Sequence, residues 1–327
     1  MKRRDIILAA AGTGLSCGLG TEERRVRMDK SPKANVAVLK ASSYEAELLG
    51  LLEEGMKAAW PEAENSVRDK TVLLKPNLVE FDSHTCINTD PRLVLACREL
   101  FLKLGAKAVW IGEGPGHRRD TWDLADQAGY RKIFSDFDDR FVDLNLDDVS
   151  KVRAYDNSMD LYLPKSILNA DLVVSVAKMK THHWAAATLS MKNFFGIVPG
   201  SIYGWPKNLL HYQGIDRSIV ELNRLIRHSF AIVDGIVAME GNGPIQGTPV
   251  QAGVVVMGRD VAAVDSTCAR LMKLDPLKIK YLKDVSMLGI DALGSIEEAD
   301  IEQRGEMISE LARPFLVLDD FAGMRLS

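Results

Sequence analysis

Within residues 171–196, Lys178, Lys180, Thr181, His182, His183, Lys192 and Asn193 follow a run of apolar residues. Crowded lysines hold their protons less tightly, so one of them can act as a base or nucleophile. An imidazole changes charge near neutral pH and can shuttle a proton. Lys178, Lys180 and His182 are therefore the candidate catalytic residues. Alternation along an extended chain puts all three on one side, with His183 pointing elsewhere. The spacing of Thr188 and Lys192 predicts a shared helix face.

Other apolar runs end in the same manner. Lys75 and Asn77 follow residues 71–74, Glu113 follows 108–111, and Asp234 follows 230–233. In a parallel sheet these ends converge on the crevice where such folds bind ligands. Lys75, Asn77, Glu113, Lys192, Asn193, His211 and Asp265 are the candidate ligand-binding residues. Asp265 shares an otherwise apolar helix face with Val261, Cys268 and Met272, so its carboxylate must be paired or functional. Asp234 and Glu240 are candidate oxygen ligands for a divalent metal. His182 or His211 would turn that pair into a transition-metal site.

These residues need strands and helices to position them. Extended runs are expected at 35–40, 71–74, 108–111, 141–146, 159–163, 172–177, 230–233, 250–257 and near 300–304. Helical periodicity covers 44–60, 91–104, 215–228, 260–274 and 276–288. The alternation predicts an α/β fold: a mostly parallel open sheet with helices on both faces and some antiparallel additions. Glycine, proline and aromatic residues dominate 196–214, which reads as a long lid-like loop. The expected organisation is a single domain over 34–327.

The formal net charge of -4 gives no support to general nucleic-acid binding. No run is long and apolar enough for a transmembrane span in the mature chain. Cys86, Cys97 and Cys268 are widely spaced, and no Cys-x-x-Cys occurs, so no iron–sulfur cluster is expected. They read as core residues, with a Cys86–Cys97 bridge as the alternative in an oxidising compartment. A nucleotide-binding glycine fingerprint and a Gly-x-Ser-x-Gly elbow are both absent from the sequence.

Lys2, Arg3 and Arg4 precede a mildly apolar stretch over residues 6–19. Residues 1–20 resemble a twin-arginine signal peptide, with 21–33 as a charged linker. This implies the twin-arginine export machinery as a partner and a periplasmic or cell-envelope location. Leu15-Ser16-Cys17 resembles a lipoprotein box, which makes Cys17 a candidate lipid anchor.

Several motifs occur in a recognisable order: Lys75-Pro76-Asn77, Thr89-Asp90-Pro91, Lys178-Met179-Lys180-Thr181-His182, Met191-Lys192-Asn193, Asp234-Gly235-Ile236, Glu240-Gly241-Asn242-Gly243-Pro244 and Asp260-Val261-Ala262-Ala263-Val264-Asp265. Together they resemble the bacterial and archaeal family called domain of unknown function 362. The resemblance implies a shared fold and site. It also implies a frequent twin-arginine signal and, in many members, an added ferredoxin-type module whose cysteines this chain lacks. The expected function is an enzyme acting on an anionic small molecule, with or without a metal. The alternative is a non-catalytic protein that binds a cofactor or a partner in a cell-envelope redox system.

Overall fold

The described residues form eleven strands: β1 (Ala34–Lys40), β2 (Thr71–Pro76), β3 (Ala108–Glu113), β4 (Phe141–Asp143), β5 (Val149–Ala154), β6 (Met159–Pro164), β7 (Leu172–His182), β8 (Ala186–Thr188), β9 (Ser229–Glu240), β10 (Thr248–Gly258) and β11 (Ile301–Gly305). The computed structural model describes residues 33–226, 228–287 and 293–326. From Lys33 onward the chain forms one compact unit. The expected signal segment 1–20 with Cys17, and the expected linker 21–33 apart from Lys33, lie outside the described residues.

The central sheet runs β11-β1-β10-β9-β7-β2-β3-β4, with β8 added to β7. From β9 to β4 every neighbouring pair is parallel. β10 is antiparallel to both β9 and β1, and β11 is parallel to β1. β5 and β6 form a separate antiparallel hairpin. The order reverses at β2: β3 and β4 extend to one side, β7 and β9 to the other. The crevice beyond the carboxyl ends of β2 and β7 is thus a topological switch point, where connecting segments leave in opposite directions and open a space.

Helices cover both faces. Pro91–Lys103 is capped by the Asp90 side chain, which accepts from Arg92 N, and proline occupies its first turn. Its buried Leu93, Val94, Cys97, Leu100 and Phe101 join Val72, Leu74, Val174, Val176 and Ile232 in the core on one sheet face. Ile215–Leu225 and Val261–Leu271 pack with Leu73, Val173, Ala177 and Val233 on the other. The helix expected from residue 44 begins at Leu48, because the Glu47 carboxylate accepts from Gly50 N and caps it there. Tyr44 instead reaches Asp234.

Five expectations are corrected. β7 runs to His182, five residues past the apolar run, and all eleven of its residues are buried. Thr188 lies on β8, directly opposite Lys180, and shares no helix with Lys192. Ala185-Ala186-Ala187 carries high helix propensity, but strand pairing to β7 overrides it. β9 continues through Asp234 to Glu240, so Asp234 sits within a strand and not at its end. Residues 196–214 are not simply a loop: they hold the short helices Gly200–Tyr203 and Asn208–Tyr212. Cys86, Cys97 and Cys268 are free thiols, so the Cys86–Cys97 bridge does not form.

Candidate functional site

A cavity of about 600 Å³ opens at the switch point. Lys75, Asn77, Glu113, Lys180, His182, Lys192, Asn193 and His211 line it together. Leu78, Val79, Phe195 and Ile245 supply apolar wall. Lys207, which sequence reasoning missed, closes one side. Among the described lining residues, four lysines face a single carboxylate, Glu113.

Those lysines divide by their partners. Lys75 Nζ donates to both Glu113 oxygens at 2.8 and 2.9 Å, to Pro76 O at 3.0 Å and to Asn193 Oδ1 at 3.1 Å. Burial works against its charge, and Glu113 works to hold the proton on. A Cβ at position 196 would collide with Lys75 Nζ and Glu113 Oε1, so the chain passes this pair only as Gly196. Lys207 Nζ donates to Gly114 O at 2.6 Å, Gly196 O at 3.0 Å and Phe195 O at 3.3 Å. Burial pulls its pKa down to about 7.

Lys180 and Lys192 are different. Lys180 is fully buried and, among the described residues, donates only to Ile87 O, at 2.8 Å. Burial, then the charges of Lys178 and Lys192, bring its pKa down to about 7. Lys192 places its ammonium 4.4 Å from the centre of the Phe195 ring. Burial lowers its pKa to about 8, with Asp216 acting in the opposite sense. Among the described residues, neither lysine is ion-paired.

His182 Nδ1 accepts from Trp184 N at 3.0 Å and Ala185 N at 3.2 Å. An imidazole nitrogen that accepts carries no proton, so the proton sits on Nε2. Burial, then Lys192, His183 and Lys180, push its pKa far below the ordinary value. His182 is therefore a neutral Nε2–H donor, not the titrating shuttle its residue type suggests. Its ring stacks on His183 at 4.8 Å, which meets Trp184 at 4.6 Å. Trp184 in turn meets His211 at 5.4 Å, completing an aromatic rim.

Two further groups point to a ligand. Asn77 Oδ1 and Thr188 Oγ1 are buried in the lining with no hydrogen-bond partner among the described residues. Unmet acceptors and hydroxyls of this kind are uncommon in a folded chain. Asn193 sets the frame between them: its Nδ2 donates to Lys75 O and Ser175 Oγ, and its Oδ1 accepts from Lys75 and Asn77.

Lys178, Asp234, Glu240 and Asp265 are not in the lining. Lys178 faces Asp234 across the β7–β9 pairing, with Nζ 2.9 Å from Oδ2. Tyr44 OH donates to Asp234 Oδ1 and accepts from Lys178 Nζ, both at 2.8 Å. The register shifts between Lys178 and Lys180, so these two same-side lysines have separate fates. Asp234 and Glu240 lie six residues apart along β9, about 20 Å in an extended strand, and do not converge. Glu240 instead accepts from Leu316 N.

Asp265 acts on the site from behind. Its oxygens accept from Ser190 N at 2.7 Å and Met191 N at 3.0 Å, at the start of the short helix Ser190–Asn193. That helix carries Lys192 and Asn193, so Asp265 is a positioning residue. Burial raises its pKa to about 7 against the pull of those two N–H bonds.

The profile of a family described as a domain of unknown function, number 362, matches residues 72–270. The chain is also 31% identical over 268 residues to the thylakoid-associated protein sll1697 of Synechocystis, covering 79% of this chain and 80% of that one. The match contains every candidate site residue named above.

Proposed function

The chain belongs to the family of domain of unknown function 362, and we propose that this member is an enzyme acting on a small anionic molecule held in the switch-point cavity. The observation that carries the reading is the charge imbalance of the lining: four lysines against one carboxylate, with Lys180 and Lys192 unpaired among the described residues. Desolvated cations without counter-ions are costly, and a carboxylate or phosphate entering the cavity supplies the missing charge. Lys192 at the rim takes the anion, and the neutral His182 Nε2–H polarises an oxygen of the bound molecule. Asn77 Oδ1 and Thr188 Oγ1 supply the remaining polar contacts. A small-molecule pocket with an apolar wall and a few convergent polar groups is the usual form of such sites.

Melting with inorganic phosphate, pyruvate and citrate tests this. A ligand at one hundred times its Kd stabilises by about 2.7 kcal/mol, enough to raise the melting temperature measurably. The parent and Lys57→Met, a change at an exposed position of the helix Leu48–Ala59, are expected to respond alike, and Lys192→Met not to respond. If none of the three anions raises the parent's melting temperature, the reading is wrong.

As to location, among the described residues no helix is long and apolar enough to cross a membrane. The name of the Synechocystis relative places that protein at a thylakoid, and the N-terminus of this chain resembles an export signal. Both favour a peripheral association with a membrane or the cell envelope. Fractionation of cells producing the full chain tests this: a purely cytosolic protein of full precursor mass would rule out the export route.

A further inference from the structure

We propose that Lys180 is an amine nucleophile that forms an imine with the carbonyl group of its anionic ligand. This rests on the reading of the cavity as an anion site and adds the ligand's chemical class: a small aldehyde or ketone that also carries a carboxylate or phosphate.

The assignment follows from what each lining lysine already does. Lys75 spends its protons on both oxygens of Glu113, Pro76 O and Asn193 Oδ1. Lys207 spends its three on the carbonyls of Gly114, Phe195 and Gly196. Those acceptors favour the ammonium form of both lysines, which has no lone pair to offer. Lys192 holds its charge over the Phe195 ring, an interaction that needs the cation. Lys180 donates to one acceptor, Ile87 O, and is the most deeply buried lysine that faces the cavity without an anion. A neutral amine satisfies that one bond and keeps its lone pair. The like charges of Lys178 and Lys192 favour the neutral form, the device by which enzymes make a lysine nucleophilic.

The neighbours suit the oxygen that must leave. Thr188 stands opposite Lys180 in the β7–β8 register, and its hydroxyl is buried without a partner. Cross-strand partners bring their Cβ atoms within about 5 Å, and both side chains line the same cavity. His182 lies two residues on, offering Nε2–H. In the reaction the amine lone pair forms the C–N bond while the carbonyl π electrons move to oxygen. The two protons of the amine pass to that oxygen, which departs as water, and the imine nitrogen takes one proton from solvent. No oxidant or reductant is consumed. Lys192 holds the carboxylate or phosphate throughout.

Borohydride-type trapping tests this on the full chain. The protein is incubated with pyruvate or with dihydroxyacetone phosphate, each with sodium cyanoborohydride, and the reduced adduct is mapped by peptide mass spectrometry. The two compounds separate carboxylate from phosphate recognition. The expected result is an adduct concentrated on Lys180 with at least one of them, forming with a pH midpoint near 7 as for its lowered pKa, not near the usual 10.4 or so. Lys192→Met is expected to slow trapping about ten- to hundredfold, the loss of one hydrogen bond to a charged group. Lys180→Met is expected to abolish it. Mapping on the parent needs neither variant to fold. Adducts spread over exposed lysines overturn the proposal. So does an unmodified Lys180 in a protein that either compound still stabilises against heat, an outcome that leaves the anion site standing. Neither stabilisation nor adduct overturns both.

Discussion

Glu113→Gln is the most exacting change for the frame of the site. The carboxylate accepts from Lys75 Nζ at 2.8 and 2.9 Å, from Leu78 N at 3.0 Å and from Gly114 N at 2.8 Å. Glutamine offers one accepting oxygen, and its amide N–H groups must face one of those donors. Lys75 and Glu113 are 0% and 1% exposed, so water cannot substitute. Removing one member of a buried pair costs about 3–5 kcal/mol. Lys75 limits the loss by shedding its proton. Burial already lowers its pKa and Glu113 opposes that, so the variant lowers it further. The unfolded chain then binds a proton that the folded chain refuses, and stability falls as pH falls. The penalty is therefore expected to be larger at about pH 6 than at about pH 9. Urea unfolding of the parent, Glu113→Gln, Lys75→Met and the double variant reads this directly. The double variant buries no lone charge and is expected to be destabilised by about 2 kcal/mol less than the sum of the singles. A Glu113→Gln cost below about 1 kcal/mol, the range of an exposed pair, or strict additivity, refutes the reasoning.

Three other outcomes follow from the same contacts. Tyr44→Phe takes an acceptor from Lys178 and a donor from Asp234; it is expected to cost about 1–3 kcal/mol while leaving stabilisation by anions intact, because that cluster lies outside the cavity. Asp265 binds protons more tightly folded, at about 7 against an ordinary 3.8, so its contribution to stability is present below the lower value and lost as pH rises through the higher. The stability of the parent relative to Asp265→Asn is accordingly expected to fall across that window in denaturant titrations, and a rise refutes the assignment. The His182 ring is expected to stay neutral, with its proton on Nε2, between about pH 5 and 8; a nitrogen resonance titrating near the ordinary 6.5 contradicts the geometry.

The location of the site was legible because several strands end in polar groups, and a parallel sheet gathers such ends at one edge. Partnership was not legible. Lys75 meets Glu113 across 38 positions only because β2 and β3 are neighbours. Asp234 looked like a strand end because a single acid interrupts an apolar run. Gly235 to Met239 continue that run, and the acid is neutralised by Lys178 on the next strand and by Tyr44, 190 positions away. Nothing local announces either partner. Lys207 was missed for the opposite reason. Within a segment rich in glycine and proline a lysine reads as solvated, yet folding turns it inward onto three carbonyls.

The two buried ion pairs, Lys75–Glu113 and Lys178–Asp234, explain why Lys180 and Lys192 stand out. Each pair cancels its own charge on its own side of β7, so neither carboxylate is left to serve another lysine. A protonated Lys180 between them is desolvated and repelled by its neighbours, and this lowers its pKa to about 7. Protonation is then coupled to occupancy at Lys192, the lysine that takes the anion: the bound charge raises its pKa from about 8, while Lys180 stays the amine that meets the ligand's carbonyl. Anion binding is therefore expected to take up protons near pH 8, because binding restores the ammonium form of Lys192 that burial disfavours. Calorimetry of phosphate binding in two buffers of different ionisation enthalpy measures that uptake. An uptake of zero near that pH contradicts the placing of the anion on Lys192.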